Sequence, residues 1–364
     1  MASFDALPPA VFRRICDTVA ARSPRSALPA YATVSRTWQR AFERHTFHSL
    51  YLSSARLDQL GDVVTSERQG YVLVMTLHVA LAPYHRTQRD DPETVEDGNR
   101  ATRVLTSTIQ DFFGTLSRWR PADGPPEGIH LELLVESPSD DAGGGSLYQS
   151  YSRRSRSPST TRRARSAVVR IDIPGHALPQ TPLVSALTCS GRHMELSSVL
   201  FLLSRLPRLR LLDTEVEHDT TEDRDIEQRR EFVLGLSHYA PNVTDLRLRR
   251  PMNSCGGSQK APSKEARSLF HTLLLNRASA LRSVHEVVLL AGRAVRYMPS
   301  ATNVRVRQYV LTGVGLEQIV VQYEADETTA KIYFDGIEPV PSTIEAWRTS
   351  VWAVRGVELE VNVQ

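Results

Sequence analysis

Two short stretches contain residue types that catalysis or cofactor binding requires. The stretch "GLSHY" (235–239) begins like the nucleophile elbow of a hydrolase, but Tyr239 stands where a second glycine is required. The stretch "GVGLEQ" (313–318) lacks the third glycine that lets a backbone approach a dinucleotide's pyrophosphate. No glycine-rich stretch ends in the Gly-Lys-Ser/Thr of a phosphate-binding loop. We therefore expect no catalytic residue and no cofactor, and predict that the protein is not an enzyme.

Two pairs of nitrogen and sulfur ligands could begin a metal site. The stretch "HTFH" places His45 and His48 close together, and Cys189 is followed by His193. Neither pair has a second pair at the spacing that structural zinc requires. We therefore predict no metal site.

The cysteines and the start of the chain predict an intracellular protein, cytoplasmic, nuclear or both. Cys16, Cys189 and Cys255 are odd in number and without recurring spacing, which argues against disulfides and for a reducing compartment. The start "MASFDALPPAVF" lacks the basic-then-apolar pattern of a signal peptide. The run "VLFLL" (199–203) is far shorter than the roughly 20 apolar residues needed to cross a bilayer, so we expect no membrane partner.

The distribution of positive charge is more informative than its total. Lys+Arg 44 nearly cancel Asp+Glu 41, and the net charge of +3 makes a nucleic-acid partner unlikely. Residues 136–166 are rich in Gly, Ser and Arg and are predicted to form a disordered insertion. Their Arg/Ser run has four interpretations: a solvated linker, a nuclear-import signal, a phosphorylation switch, or an RNA contact. The last is disfavoured because no platform of interleaved aromatic and basic residues accompanies the run.

A loose repeat in the body of the chain predicts its scaffold. After an anchor residue, usually proline, mostly apolar residues recur at the second, fifth and seventh positions, as in a short strand with one buried face. The anchors are Gly70, Pro182, Pro207, Pro241 and Pro299. Helix-like segments precede several of them, at 196–206, 225–239 and 263–277.

Helix, turn and short strand in succession predict an α/β fold. We expect an irregular leucine-rich-repeat-like array over 51–309, with parallel strands and outer helices. An ordinary α/β layer fold that reuses one turn is the alternative. Residues 310–364 are predicted to form an α+β cap on the array, with two strands around a turn at Asp326, a helix over 342–354 and a last strand.

Several arginines alternate with the expected buried positions of the strands and so are predicted to point outward. They are Arg210, Arg247, Arg249, Arg305 and Arg307. A basic stripe on the concave face of an array would suit an acidic or phosphorylated protein target. Ordinary solvated strand residues are the alternative.

Residues 4–50 form a distinct opening unit of three short helices. Pro8 and Pro9 suit the first turn of the first helix, and Ser23-Pro24 breaks it. Three short helices bury too little apolar surface to be stable alone. The unit is therefore either a module that binds a partner or an N-terminal helical cap of the array.

The opening unit resembles an F-box, and its continuation is similar to the F-box proteins of filamentous fungi. The resemblance covers about the first 50 residues and lies in "LPPAVFRRICDTVA", Leu28, "VSRTWQRAF" and the aromatic Phe47. It implies that the unit binds a Skp-type adaptor and, through it, a cullin scaffold. The adaptor contacts that it implies are Leu7, Pro8, Pro9, Val11, Ile15, Leu28, Val34 and Trp38.

The resemblance also implies a function for the whole chain. The chain would be the substrate-recognition subunit of an SCF-type (Skp–cullin–F-box) E3 ubiquitin ligase, with the body of the chain binding a protein target of unknown identity. The alternative is an F-box scaffold that mediates protein interactions outside a ligase.

Overall fold

A computed structural model shows a mixed α/β protein built on a ten-stranded sheet. The residues that the structure describes are 7–83, 94–120, 122–138, 168–173, 178–215, 231–232, 234–236, 238–249, 288, 291–292, 295, 300–312, 315–326, 328–335 and 337–363. The predicted disordered insertion at 136–166 therefore lies, apart from its first three residues, outside the described part of the chain.

The ten strands lie side by side in sequence order. They are β1 (Ser49–Ser53), β2 (Val74–Ala80), β3 (Ile129–Glu136), β4 (Val184–Gly191), β5 (Leu211–Glu215), β6 (Asp245–Arg249), β7 (Asn303–Thr312), β8 (Gly315–Ala325), β9 (Ala330–Asp335) and β10 (Leu359–Val363). Strands β1 to β7 are all parallel. Strand β8 is antiparallel to both neighbours, and β9 and β10 are parallel to each other. The predicted α/β class with a mostly parallel sheet is confirmed.

Helices precede the sheet and connect its strands. They are α1 (Pro9–Arg22), α2 (Leu28–Ala32), α3 (Arg36–Phe47), α4 (Leu57–Val63), α5 (Ser66–Gln69), α6 (Val95–Leu116), α7 (Leu196–Leu203) and α8 (Pro341–Arg355). The helices predicted at 196–206 and 342–354 are confirmed as α7 and α8. The segment 225–239 is helical at all of its described positions, which are 231–232, 234–236 and 238–239, and 263–277 lies outside the described residues. The long helix α6 was not predicted from the sequence.

The predicted repeat places side chains in two buried rows that cross the parallel strands. The fifth position after each anchor is buried and pairs in register with its neighbour, so that Leu187 lies beside Leu212 and Leu212 beside Leu246. The seventh position is buried as well, as at Leu77 and Leu248. These side chains belong to one apolar core. The same core contains the buried face of α6, which includes Leu105, Ile109, Phe112 and Leu116.

Two strands of the parallel part follow the same pattern but were not predicted. In β1, Leu50 and Leu52 pair with Met75 and Leu77 of β2, so they occupy the fifth and seventh positions of the repeat. The anchor position, five residues before Leu50, therefore falls inside α3. In β3 the register shifts between Ile129 and His130. The residue before this shift is Gly128, whose φ of +82° favours glycine and whose missing Cβ would meet Ser185 at 2.6 Å. The expected boundary between 50 and 51 lies within β1.

The antiparallel end of the sheet agrees with the predicted pair of strands around Asp326. The carboxylate of Asp326 accepts hydrogen bonds from the backbone N–H groups of Thr328 (2.8 Å) and Thr329 (2.7 Å), which closes the turn between β8 and β9. These donors stabilise the ionised carboxylate and lower the pKa of Asp326 to about 2. Behind the strands, Trp347 of α8 is buried and packs against Tyr323 of β8.

A matched pair of substitutions in β5 tests the assignment of faces. Leu212→Ala, at a fully buried position, should lower the free energy of unfolding by about 2–5 kcal/mol because it leaves a cavity in the core. Leu211→Ala, at the neighbouring half-buried position on the other face, should cost about 1 kcal/mol or less. Urea denaturation of both variants measures the difference. A larger loss for Leu211→Ala would show that the strand has the opposite face buried.

Candidate functional site

The three opening helices, called the helical unit below (residues 7–47), have a small core of their own. Phe12, Cys16, Leu28 and Phe42 are buried together, in a cluster separate from the core of the sheet. The indole of Trp38 stacks on Phe42 at 5.3 Å between ring centroids and meets Phe12 edge-on at 5.9 Å. Seven further apolar residues of the described helical unit are partly buried against these four, among them Leu7, Val19 and Tyr31. The core of the unit is therefore small beside that of the sheet.

The residues with implied adaptor contacts occupy three environments in the helical unit. Leu28 lies in the core at 4% exposure, so its side chain supports the unit from inside. Leu7, Ile15 and Trp38 are half-buried. The remaining positions are exposed: Pro8, Pro9, Val11 (46%) and Val34 (63%). The structure thus leaves several apolar side chains of the helical unit facing solvent.

Helix α3 connects the helical unit to the sheet without an intervening linker. The helix ends at Phe47 and β1 begins at Ser49, with His48 alone between them. The backbone carbonyl of His48 accepts hydrogen bonds from the N–H groups of Leu73 and Val74, each at 3.0 Å, so the junction is also bonded to the start of β2.

Side chains of α3 and α5 reinforce this junction. The Arg68 guanidinium forms an ion pair with Glu43 and lies over the ring of Phe47, 4.8 Å from its centroid. The same guanidinium donates a 2.7 Å hydrogen bond to the carbonyl of Val63. Arg68 therefore contacts both the last helix of the helical unit and the first repeat of the sheet, and holds the two in one arrangement.

A second candidate surface, which is polar, lies on the sheet. It is the face opposite the buried rows, and we call it the open face. At the sixth position of the repeat, parallel strands carry in register Glu132, Thr188, Asp213, Arg247 and Arg305. We call these five residues the charge row. It changes sign between neighbouring strands, from the carboxylates of β3 and β5 to the guanidinium groups of β6 and β7.

Contacts within the open face keep parts of the charge row in place. The hydroxyl of Thr76 donates to Glu132 at 2.7 Å, and the ring Nε2 of His130 lies 2.8 Å from the hydroxyl of Thr188. Arg247 forms an ion pair with Asp245 of its own strand at 2.9 Å. These partners hold Glu132, Thr188 and Arg247 in defined positions.

The Arg305 side chain is less completely bonded than the rest of the row. It donates from Nη2 to the neutral amide oxygen of Gln322, while its Nε is buried without a hydrogen-bond partner among the described residues. None of the described ion pairs joins Arg305 to a carboxylate.

The five arginines predicted to bind a target fall into two groups. Arg247 and Arg305 are register partners, and so are Arg249 and Arg307 two residues further along the same strands. The side chains of Arg249 and Arg307 are outside the description. Arg210 is exposed and precedes β5, and its carbonyl accepts hydrogen bonds from the N–H groups of Thr244 and Asp245 at the start of β6. It therefore does not belong to the charge row.

The acidic part of the charge row was missed by the sequence analysis. The predictions rested on the second, fifth and seventh positions of the repeat and on the arginines, and so did not include Glu132 and Asp213. The signal was nevertheless present: the sixth position after the anchors Pro207, Pro241 and Pro299 holds Asp213, Arg247 and Arg305.

His130 reports on the electrostatics of this surface. Burial lowers the pKa of its imidazole, the carboxylates of Glu132 and Asp213 act to raise it, and the Arg247 guanidinium acts to lower it, with a net lowering. Both the carboxylates and a guanidinium group of the charge row therefore affect the pKa of the His130 ring. Because the net effect is a lowered pKa, we expect the ring to be neutral at pH 7.

The described residues contain neither a metal-binding cluster nor a membrane-spanning helix. No group of three or more His, Cys, Asp or Glu side chains is arranged to hold a metal ion in that part of the chain. The helices of the same part include none that is both long and apolar enough to span a membrane.

Comparisons with known proteins add no family assignment. No protein-family model matches this chain, and no curated protein matches it closely enough to count as a relative.

The pKa of His130 tests the arrangement of charges on the open face. Glu132→Gln should lower it further, because a carboxylate that favours the imidazolium is removed, whereas Arg247→Gln should raise it. Titration of the ring resonances by NMR measures both shifts, and Glu127→Gln, an exposed carboxylate before β3, serves as a control that should leave the value unchanged. Shifts of the same sign in both variants would contradict the arrangement.

Proposed function

We propose that this protein is the substrate-recognition subunit of an SCF-type E3 ubiquitin ligase. In this proposal the helical unit is an F-box that binds a Skp-type adaptor and, through it, a cullin scaffold. The parallel strands β1 to β7 and their outer helices form a leucine-rich-repeat-like array, closed by β8 to β10 as a cap. The open face of that array binds the protein to be modified, inside the cytoplasm or the nucleus.

The observation that carries the proposal is the exposure of apolar residues on the helical unit. Val11 and Val34 are 46% and 63% exposed and lie outside the buried cluster of Phe12, Cys16, Leu28 and Phe42. Exposed apolar side chains on a unit of low intrinsic stability favour a partner that covers them. Both residues are also among those with adaptor contacts implied by the F-box resemblance.

The connection between the two surfaces supports the same function. A receptor must hold its target at a fixed place relative to the rest of the ligase, so a flexible linker after the F-box would work against it. Here α3 continues into β1 after a single residue, and Arg68 binds both sides of the junction. These contacts support the proposal, in which the adaptor-binding and target-binding surfaces are held in one orientation.

A scaffold that acts outside a ligase is the alternative function. It would use the same open face and the same exposed apolar residues, but it would bind the adaptor without the cullin, or bind neither. The distinction therefore depends on which proteins assemble on the helical unit.

Co-purification with a Skp-type adaptor and a cullin tests the proposal. The double variant Val11→Glu, Val34→Glu should reduce recovery of both partners at least tenfold, because it places charges where apolar contacts are expected. Val63→Glu is a matched control, since Val63 is a helical valine of similar exposure (47%) outside the helical unit. Circular dichroism melting checks that all variants remain folded.

Three outcomes separate the candidates. Loss of both partners in the double variant and not in the control supports the receptor. Recovery of the adaptor without the cullin supports the scaffold. Equal recovery of both partners with wild type and double variant, or recovery of neither with wild type, contradicts the proposal.

A further inference from the structure

The two edges of the ten-stranded sheet differ in how they are covered. At the edge formed by β1, helix α3 contacts the strand, and every residue of β1 is buried or half-buried. At the other edge, β10 pairs with β9 and with no other strand of the described chain. Glu360 and Val363 of β10 are exposed. Within the part of the chain that the structure describes, the outer backbone groups of β10 are therefore open to a further strand.

The sequence of β10 lacks the features that commonly protect an edge strand. Such strands often contain a lysine, a proline or a bulge that discourages pairing with another chain. The strand "LEVNV" has neither lysine nor proline, and its register with β9 is continuous. Its one charged side chain, Glu360, forms an ion pair with Lys331 of β9, whose Nζ lies 3.2 Å from the carboxylate. The charge of Glu360 is thus already engaged with β9.

The core face of β10 becomes more exposed along the strand. Leu359, Val361 and Val363 share this face, and they are buried, half-buried and 57% exposed in that order. The register partner of Val363 is Phe334 of β9, which is buried. Val363 is therefore covered by an apolar neighbour on the side of β9 and exposed to solvent elsewhere.

Helix α8 presents an exposed tryptophan beside this edge. Trp352 is 61% exposed, and Arg348 on the same flank is exposed, whereas the other flank has the half-buried Ala346 and the buried Ser350. Helix α8 connects the parallel neighbours β9 and β10, and about 98% of such crossovers are right-handed. A right-handed crossover places the flank with Trp352 on the side of β10. Large exposed apolar side chains, tryptophan above all, are typical of protein interfaces.

The sequence of β10 is complementary to itself in one antiparallel register. A two-fold axis through Val361 and perpendicular to the sheet places Leu359 opposite Val363 of a second copy, and Glu360 opposite Asn362. Apolar side chains then meet on the core face, and no two carboxylates meet on the open face. An axis through Glu360 would oppose two carboxylates. Axes through Glu360 or Asn362 would also pair fewer residues of the strand.

We propose that the outer edge of β10 binds β10 of a second copy of this chain, antiparallel and centred on Val361. The two sheets become one continuous sheet with both cores on the same side, and the two α8 helices flank the junction. The β1 edges lie at the far ends of this joint sheet, so both helical units stay free. The inference is independent of the proposed function, because it does not depend on which protein binds the helical unit.

Sedimentation equilibrium of the full-length protein tests this inference. We expect the wild type to approach twice its mass of 40.7 kDa as the concentration rises. Asn362→Glu places a carboxylate opposite Glu360 at two symmetric positions and should weaken dimerisation about tenfold or more. Asn362→Lys places an ammonium group there and should dimerise more tightly than Asn362→Glu. Asn99→Glu makes the acidic change at an exposed position of α6 and should leave dimerisation unchanged.

Cysteine cross-linking tests the register. Val361→Cys should form an intermolecular disulfide under mild oxidation, because directly opposed residues of antiparallel strands have Cα atoms about 4.5–5.5 Å apart. Glu360→Cys is the matched control, since the two copies of residue 360 lie diagonally, with Cα atoms more than about 7 Å apart. The wild type gives the background from the native cysteines. Circular dichroism melting checks that each variant is folded, and Val363→Lys, at an exposed position, should weaken dimerisation if the Asn362 variants do not fold.

Three results would overturn the inference. A wild-type protein that sediments as a monomer at every concentration tested excludes a second copy and leaves a strand of another protein as the occupant of the edge. A dimer that Asn362→Glu and Asn99→Glu affect equally forms elsewhere on the molecule. Cross-linking through Glu360→Cys and not through Val361→Cys contradicts the register. None of these measurements contains the adaptor, so their outcome is separate from that of the receptor function.

Discussion

The register of the parallel strands is the constraint on which the rest of the molecule depends. The fifth and seventh positions of each repeat are buried, and buried residues of adjacent strands pair in register. Leu212, for example, lies between Leu187 and Leu246. A shift of one residue would move every buried side chain of a strand to the solvent, so the core selects one register. The same register then places each residue of the open face beside a defined partner on the next strand.

Both candidate surfaces follow from this arrangement. The charge row exists because Asp213, Arg247 and Arg305 occupy equivalent positions between the two buried rows of their strands. The helical unit is held in place because β1, which follows α3 after one residue, pairs with β2 in the same register pattern. A parallel sheet that grows by one strand per repeat thus fixes the helical unit at one edge and presents the charge row in its middle.

Much of this fold can be read from the sequence, and the parts that cannot have physical reasons. Five strands follow from anchors with apolar residues at fixed offsets, since burial of alternate side chains leaves a pattern in the chain. Strand β1 has its anchor within a helix, and β3 has Gly128 where the others have a larger residue, so both lacked the signal. The charge row depends on strands distant in sequence. Asp213 could be read at the sixth position after Pro207, whereas Glu132 emerges only when the register aligns β3 with its neighbours.

The resemblance of the helical unit to an F-box and the polar open face of the sheet together give one account, in which the chain carries two separate candidate binding surfaces on directly connected elements. Calorimetric titration of a Skp-type adaptor into the protein tests this account most directly. It predicts one adaptor bound per copy of the chain, with a dissociation constant that rises at least tenfold in the double variant Val11→Glu, Val34→Glu and is unchanged in Val63→Glu. No heat of binding with the wild-type protein, or equal affinities of the wild type and the double variant, would contradict it.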